Sequence, residues 1–293
     1  MILGRGEYQY QLEQGWAKIP ENFILDDAVD IATDSYDRVF VFCRGNHPLL
    51  IFDREGRFVS CWGEGHFRQP HGIFIGPDNS VYLIDAQCHT VEKFTSNGKL
   101  LLRLGVRDWA EMTVRGNPFN MPTGLALSPS GEMFVSDGYG NQRVHKFSPD
   151  GKLLKSWGEY GRGPGQFRLV HNIALDKDGK VYVCDRENDR IQTFTSEGEF
   201  ITEWTGLHKP GDVYIDQKRD IVYVAEQGRP GPQKPRISIR DLHGNILSMW
   251  EGRESDGDGV LGNPHGIWID SLGDIYVGEI GKAKRILKFI RMK

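Results

Sequence analysis

The sequence predicts an all-β protein that folds as one six-bladed β-propeller over residues 1–293. The first observation is a repeated phrase, in which a short apolar strand, a polar turn and a second strand return six times along the chain. The second is that each repeat holds four short strands at a period of about 40–50 residues, which is typical of propeller blades. A β-sandwich also contains many short strands, but its sequence does not repeat in this way.

The second repeat shows the plan of one unit. Its strands are predicted at 71–75, 81–85, 90–94 and 99–104, and Gly, Asp, Asn and Ser fill the turns between them. The same order of strands and turns recurs in the other repeats, and no stretch shows sustained helical periodicity. The chain is therefore expected to consist of strands and turns throughout.

The sixth unit ends at the C-terminus directly after its third strand. Residues 7–16 alternate apolar Tyr8, Tyr10 and Leu12 with polar neighbours, which predicts a half-buried strand. We expect this N-terminal strand to supply the missing fourth strand of the last unit. Pairing of the two chain ends would close the ring and leave no open sheet edge.

The bulk composition excludes several classes of partner. The net charge is −4 and the isoelectric point about 6.2, which gives no indication of a nucleic-acid partner. No apolar run reaches the ~20 residues of a membrane helix, and the N-terminus lacks the apolar core of a signal peptide. The four cysteines form no C-x-x-C pair, so we expect reduced thiols. Cytoplasmic localisation is the expectation, and the oligomeric state is left open.

Three histidines stand at equivalent places in alternate units. His71, His171 and His265 each open the first strand of the second, fourth and sixth unit. The first strand of every blade lines the central channel, so three such side chains converge on one point of the axis. Three neutral imidazoles with open positions form a metal site, most often for zinc. The alternative is that they are half-buried polar residues bonded to the backbone. The remaining histidines are predicted to lie at the surface: His47, His66, His89, His145, His208 and His243.

The turns after the second strands emerge on the same face as these histidines. Arg44, Tyr139 and Arg186 lie in such turns and do not recur between units, which favours a functional role. A guanidinium binds a carboxylate through two hydrogen bonds, and a tyrosine beside a metal and an arginine can act as a base. The acids that recur at the ends of the second strands are instead expected to cap turns, and Arg143 and Arg190 are expected to be structural. These acids are Asp85, Asp137, Asp185, Glu226 and Glu279.

The repeated sequence motifs of this chain resemble those of a known family. Val135 to Val144 is similar to NHL repeats, and nearly the whole chain resembles the peptidyl-α-hydroxyglycine α-amidating lyases. That resemblance implies a six-bladed propeller with zinc held by His71, His171 and His265. It also matches Tyr139 and the arginines Arg44 and Arg186 to the active site of the family.

The resemblance implies a carbon–nitrogen lyase that splits an α-hydroxyglycine carbinolamide into an amide and glyoxylate. Zinc would bind the α-hydroxyl and lower its pKa, and Tyr139 would be the base. Arg44 and Arg186 would bind the carboxylate and stabilise the tyrosinate. Gly140 replaces a disulfide cysteine of secreted members. The resemblance implies a peptide-like α-hydroxy acid as substrate. Asn263 replaces a methionine that lines the family's pocket, which leaves a small non-peptide α-hydroxy acid as the alternative.

Calcium is doubtful for two reasons. Gly266 stands where the family has an aspartate that binds a structural calcium. The acidic loop 255–259 lacks the full ligand set of a calcium-binding loop.

Two other functions stay open at this point. One is a non-catalytic NHL scaffold that binds proteins, although a scaffold does not require three axial histidines. The other is a metal-dependent hydrolase or lactonase on the same fold, but lactonase propellers use carboxylate-rich calcium sites. The favoured prediction is the zinc-dependent lyase.

Overall fold

The computed structural model describes residues 1–111, 118–252 and 259–292, so residues 255–258 of the acidic loop lie outside the described residues. In chain order the described strands are β1 Ile2–Arg5, β2 Tyr8–Glu13, β3 Ala28–Thr33, β4 Val39–Cys43, β5 Leu49–Phe52, β6 Phe58–Trp62, β7 Pro70–Ile75, β8 Val81–Asp85, β9 Thr90–Phe94, β10 Leu100–Leu104, β11 Pro122–Leu127, β12 Met133–Asp137, β13 Arg143–Phe147, β14 Leu153–Trp157, β15 Glu159–Tyr160, β16 Gln166–Phe167, β17 Val170–Leu175, β18 Val181–Asp185, β19 Arg190–Phe194, β20 Phe200–Trp204, β21 Pro210–Asp216, β22 Ile221–Glu226, β23 Arg236–Asp241, β24 Ile246–Glu251, β25 Pro264–Ile269, β26 Ile275–Glu279 and β27 Ile286–Arg291. One turn of 3-10 helix, Arg186–Asn188, is the only helix in this described part.

Apart from the short parallel pair β15–β16, the strands form six antiparallel sheets, which confirms the predicted propeller. Blades one to five are β3–β6, β7–β10, β11–β14, β17–β20 and β21–β24, each a meander of four consecutive strands. The first strands of neighbouring blades contact one another in the closed order β3, β7, β11, β17, β21 and β25. The axis of the molecule therefore runs through the middle of this ring.

The N-terminal strand closes the sixth blade as expected. In this sheet the strand order is β1-β2-β27-β26-β25, and β2 pairs antiparallel with β27 so that Leu12 lies opposite Phe289. The predicted strand ends at Glu13 rather than at Trp16, whose indole packs against Phe52 and Tyr276 instead. A fifth strand, β1, was not predicted. It extends the blade outward, and the backbone N–H of Arg5 donates to Ser248 Oγ in blade five.

The hydrophobic core is divided among the six interfaces between neighbouring blades. Each apolar cluster combines strands of two adjacent blades, as where Leu83 of blade two packs with Phe40 and Phe42 of blade one. The second strand of every blade is buried along its whole length, whereas the fourth strands carry most of the exposed positions. This explains the continuous apolar runs in the second strands. No helix in the described part of the chain is long and apolar enough to cross a membrane.

Candidate metal centre

In every blade the first strand contains a register shift near its start. Between Pro70 and Gly72, for example, the ladder skips one residue, and the same occurs between Pro264 and Gly266. A β-bulge of this kind redirects the skipped side chain. The skipped positions around the ring are Val29, His71, Thr123, His171 with Asn172, Gly211, and His265.

The structure brings the three predicted histidines together. The ligand nitrogens of His71, His171 and His265 all lie within 4.8 Å of one another. Their ring centroids are 4.8 Å apart for two pairs and 5.0 Å for the third, and the rings meet edge to face. All three side chains are buried, with at most 3% of each residue exposed. We call this group the histidine triad.

The hydrogen bonds of the triad determine which nitrogen is available to a metal. His71 Nδ1 lies 2.7 Å from the carbonyl oxygen of Thr123. His171 Nδ1 is 2.6 Å from that of Gly211, and His265 Nδ1 is 2.7 Å from that of Val29. A carbonyl oxygen only accepts, so each Nδ1 must carry the proton and donate it. Each ring therefore carries its lone pair on Nε2, the nitrogen that can bind a cation at the axis.

The surroundings keep these rings neutral. Burial lowers the pKa of His265 to about 3, with a further contribution from the charge of Arg44. Burial also lowers the pKa of His71 and of His171 well below the usual value, assisted by His265 and by Arg186 respectively. Neutral imidazole nitrogens with free lone pairs are suitable zinc ligands, so the residues present fit that metal. That these residues hold zinc stays a prediction.

Tyr139 lies directly beside the triad. Its Oη is 3.1 Å from His71 Nε2 and 3.3 Å from His171 Nε2. Tyr139 follows β12, and Gly138 before it allows the turn to lie against blade four, because a Cβ there would overlap the backbone of Val170. Of the three non-recurring residues, Tyr139 therefore lies nearest to the histidine nitrogens.

Arg44 and Arg186 approach the triad from different blades. The Arg186 guanidinium carbon lies 5.7 Å from the centre of the Tyr139 ring, and its Nε donates to Glu187 Oε1 at 3.1 Å. Arg44 forms an ion pair with Asp27 at 3.0 Å, while its Nε is buried without a hydrogen-bond partner. The charges of both arginines contribute to the lowered pKa of His71. Both guanidinium groups therefore contribute to the electrostatics of the triad.

A layer of carboxyl groups lies one residue further along the channel. Asp30 accepts the backbone N–H of Ile73 at 2.9 Å, and Asp212 accepts that of Ile267 at 2.7 Å. Burial, with the facing Asp212, raises the pKa of Asp30 well above its usual range, and burial raises the pKa of Asp212 to about 7.

Gly266 contributes no carboxylate at this level. A Cβ at Gly266 would meet Asp30, whose side chain occupies that space. The position of the family's calcium-binding aspartate therefore has no equivalent ligand here, and calcium is not assigned.

The recurring acids at the ends of the second strands have structural partners. Asp185 accepts Arg190 Nε at 2.7 Å and the backbone N–H of Arg168 at 3.0 Å. In blade three, Asp137 is contacted by His145 Nε2 at 3.2 Å. The prediction that His145 lies at the surface is wrong, since the residue is fully buried. The other five histidines outside the triad are partly or fully exposed.

A second group of metal-ligand types lies at the edge of blade one. His47 Nδ1 and Cys61 Sγ each contact Glu64 Oε1 at 3.3 Å, and the side chain of Glu64 is half exposed. His47 also stacks on Phe23 with ring centroids 3.8 Å apart. Hydrogen bonding and stacking account for this group without a metal.

Two clefts open at the opposite ends of the channel. One, of about 680 Å³, lies on the face of Tyr139 and Arg186 and is bordered by Lys209, Arg229 and Asn263. The other, of about 620 Å³, lies beyond the layer of Asp30 and Asp212 and is mostly walled by apolar residues of the first strands. Of these two clefts, the first is lined by a residue predicted for the active site, Arg186.

Comparison with known proteins agrees with this architecture. The family described as "6-bladed beta-propeller" matches residues 125–244. NHL repeat-containing protein 3 of Homo sapiens is 31% identical over 302 residues, covering 96% of this chain and 84% of that protein. A probable peptidyl-alpha-hydroxyglycine alpha-amidating lyase of Caenorhabditis elegans is 32% identical over 263 residues, covering 83% and 70%.

Solved structures support the fold alone. Virginiamycin B lyase from Staphylococcus aureus superposes with a TM-score of 0.65 at 15% sequence identity, covering 97% of this chain and all of that one. At this level of identity the similarity carries no information about the reaction.

Proposed function

The chain belongs to the family of NHL-repeat β-propellers that includes NHL repeat-containing protein 3 and the peptidyl-α-hydroxyglycine α-amidating lyases, and from this membership we propose that it is a zinc-dependent lyase. Its reaction would cleave the C–N bond of an α-hydroxyglycine carbinolamide, giving an amide and glyoxylate. The substrate would be a small molecule or peptide-like α-hydroxy acid.

One observation carries this proposal. The three Nε2 atoms of the triad meet at the axis beside the Tyr139 hydroxyl, with Arg44 and Arg186 on either side. This geometry supports the proposal that metal ligands, a proton acceptor and carboxylate-binding groups act at a single centre. The chemistry that bound zinc supplies is Lewis acidity toward the substrate hydroxyl.

The protein's own residues would perform the binding and the proton transfer. Arg44 has a buried Nε without a partner and is suited to bind the α-carboxylate, with Arg186 on the other side. The Tyr139 oxygen, when deprotonated, would take the proton of the α-hydroxyl. As the C=O bond forms, the C–N bond breaks and its electron pair goes to nitrogen. Tyr139 then returns the proton to that nitrogen, so atoms and charges balance without a further reactant.

A non-catalytic protein-binding scaffold is the competing function. The name of NHL repeat-containing protein 3 describes repeats and not an activity. A scaffold, however, would give no reason for three buried, neutral histidines whose Nδ1 protons are all committed to backbone carbonyls. The arrangement therefore favours the lyase.

The test is glyoxylate release from N-benzoyl-α-hydroxyglycine by protein reconstituted with zinc. His171→Ala should lose activity by at least a hundredfold together with bound zinc, because it removes one of three ligands. His243→Ala, at an exposed position, serves as the matched control and should behave as wild type. Full zinc content and full activity in His171→Ala would exclude the proposed site.

A further inference from the structure

The cleft of about 680 Å³ lies between blades four, five and six, and Arg186 is one of its lining residues. The guanidinium carbon of Arg186 also lies 5.7 Å from the centre of the Tyr139 ring, so this residue connects the cleft with the proposed reacting centre. Its volume falls within the roughly 300–1,000 Å³ of small-molecule sites. A hydroxyglycine unit alone would fill a small part of it, which leaves space for the acyl arm of the substrate.

Positive charge dominates the described lining of this cleft. Lys209, Arg229 and Lys282 line it together with Arg186, and no described lining residue is acidic. Pro230, Pro235 and Ile280 add apolar surface. An arm that suits this lining has an apolar stem and an anionic end.

The ion pairs behind the cleft leave positive charge uncompensated. Glu187 contacts three of the four lining cations, with Arg186 Nε at 3.1 Å, Arg229 Nη1 at 2.9 Å and Lys209 Nζ at 3.7 Å. Arg229 also contacts Asp189 at 3.2 Å. Among the described residues, three cations therefore share two carboxylates. An additional anion would complete the pairing.

The position of Lys209 is set by its backbone. Its φ of +57° lies in the left-handed region, which is uncommon for a residue with a side chain. Its N–H donates to Asp189 Oδ1 at 3.0 Å, and its carbonyl accepts the N–H of Gln227 at 3.1 Å. Burial, and then the charge of Arg186, lowers the pKa of Lys209. The ammonium group therefore lies near a second cation, Arg186, and shares the carboxylate of Glu187 with it.

We propose that this cleft binds an acyl arm that ends in a carboxylate, and that Lys209 and Arg229 are the residues that recognise it. This inference rests on the proposed function, which places the scissile C–N bond at the triad. Arg44, on the far side of the axis with its unpartnered Nε, then binds the α-carboxylate. The preferred substrates are accordingly dianionic N-acyl-α-hydroxyglycines. A neutral arm would leave the cationic pair without a partner.

The experiment compares two substrates of equal length, N-glutaryl-α-hydroxyglycine and the same compound with its distal carboxylate converted to a primary amide. Glyoxylate release gives kcat/KM for each. Wild-type protein is expected to prefer the acid about 10- to 100-fold, the range of one or two charge-assisted hydrogen bonds. Lys209→Met and Arg229→Met should each reduce this preference about tenfold, because kcat/KM should fall more for the acid than for the amide.

Lys177→Met is the matched control. Lys177 is exposed and pairs with Asp220 at 2.6 Å, away from the cleft, so its removal should leave the preference intact. Thermal melts of all variants establish that they are folded, and Arg229→Met, in a different loop, provides a second variant in case Lys209→Met does not fold.

The outcomes separate the two claims. Equal kcat/KM for acid and amide in the wild type would overturn the recognition of an anionic arm and leave the lyase in place. An equal loss on both substrates in the folded variants would also overturn it, since these residues would then act at the reacting centre. Failure of the wild type to release glyoxylate from either substrate would overturn the proposed function and this inference with it.

Discussion

The zinc affinity of the histidine triad is expected to change little between pH 7 and pH 5. An ordinary imidazole has a pKa of about 6.5, so its neutral fraction falls roughly 25-fold over this interval. A site of three ordinary imidazoles would therefore lose about 10⁴-fold in affinity, because each proton competes with the metal.

Burial changes this expectation. It lowers the pKa of His265 to about 3 and that of His71 and His171 well below the usual value. All three rings then stay neutral through the interval, and the metal displaces no proton from them. The expected fall in affinity is less than tenfold.

The same shifts predict how the metal-free protein responds to acid. As pH falls below about 6.5, the unfolded chain takes up protons at these histidines while the folded chain does not. The free energy of unfolding should therefore decrease from pH 6.5 toward the folded pKa values.

Competition with a chromophoric chelator of known proton affinity, repeated at half-unit steps of pH, measures the zinc affinity directly. His243→Ala should give the same profile as wild type. A fall of a thousandfold or more between pH 7 and pH 5 would refute the reasoning, because it would mean that the triad takes up protons like exposed imidazoles.

Three further predictions concern the reaction and the closure of the ring. Tyr139→Phe should lower kcat by about 10²- to 10⁴-fold while zinc content stays at the wild-type level, since the hydroxyl is assigned to proton transfer and not to metal binding. Glyoxylate assays measure the first effect and metal analysis the second. Retained activity would remove Tyr139 from the mechanism. Arg44→Met should weaken binding of glyoxylate about tenfold or more, because it removes the guanidinium whose Nε lacks a partner. Product inhibition measures this binding. Unchanged inhibition would mean that another residue binds the carboxylate. Deletion of residues 1–13 should lower the melting temperature by several degrees, since it removes β2 from its pairing with β27 and uncovers a sheet edge. An unchanged melting temperature would mean that the ring closes without this strand.

The sequence was sufficient to predict the ring and the convergence of the triad, because both follow from repetition. Equivalent positions on six similar blades must lie at equal distances from the axis, so His71, His171 and His265 had to approach one another. The bulges that turn these side chains inward were not predicted. A register shift depends on the pairing of two strands, and the sequence of one strand does not reveal it.

His145 shows that a signal in the repeats was overlooked. Its equivalents on the third strands of blades four and five, Gln192 and Ser238, are also buried, and each contacts the acid that ends its second strand. Comparing the third strands would have placed His145 beside Asp137. By contrast, the cationic cleft had no such signal, since Lys209 and Arg229 come from connections that differ between blades.

The short strand β1 was also beyond prediction. Ile2–Arg5 carries no clear alternation, and its pairing with β2 is supported by contacts of Arg5 with blade five, which are distant in sequence. Tertiary contacts of this kind decide the structure of short terminal segments.

The central claim is that three histidines from alternate blades hold one zinc ion on the propeller axis. Crystals of zinc-loaded protein, with diffraction data collected on both sides of the zinc absorption edge, test it most directly. The account predicts a single anomalous peak about 2.0–2.1 Å from the Nε2 atoms of His71, His171 and His265. A peak at His47, Cys61 and Glu64 with none on the axis, or no bound zinc at all, would contradict it.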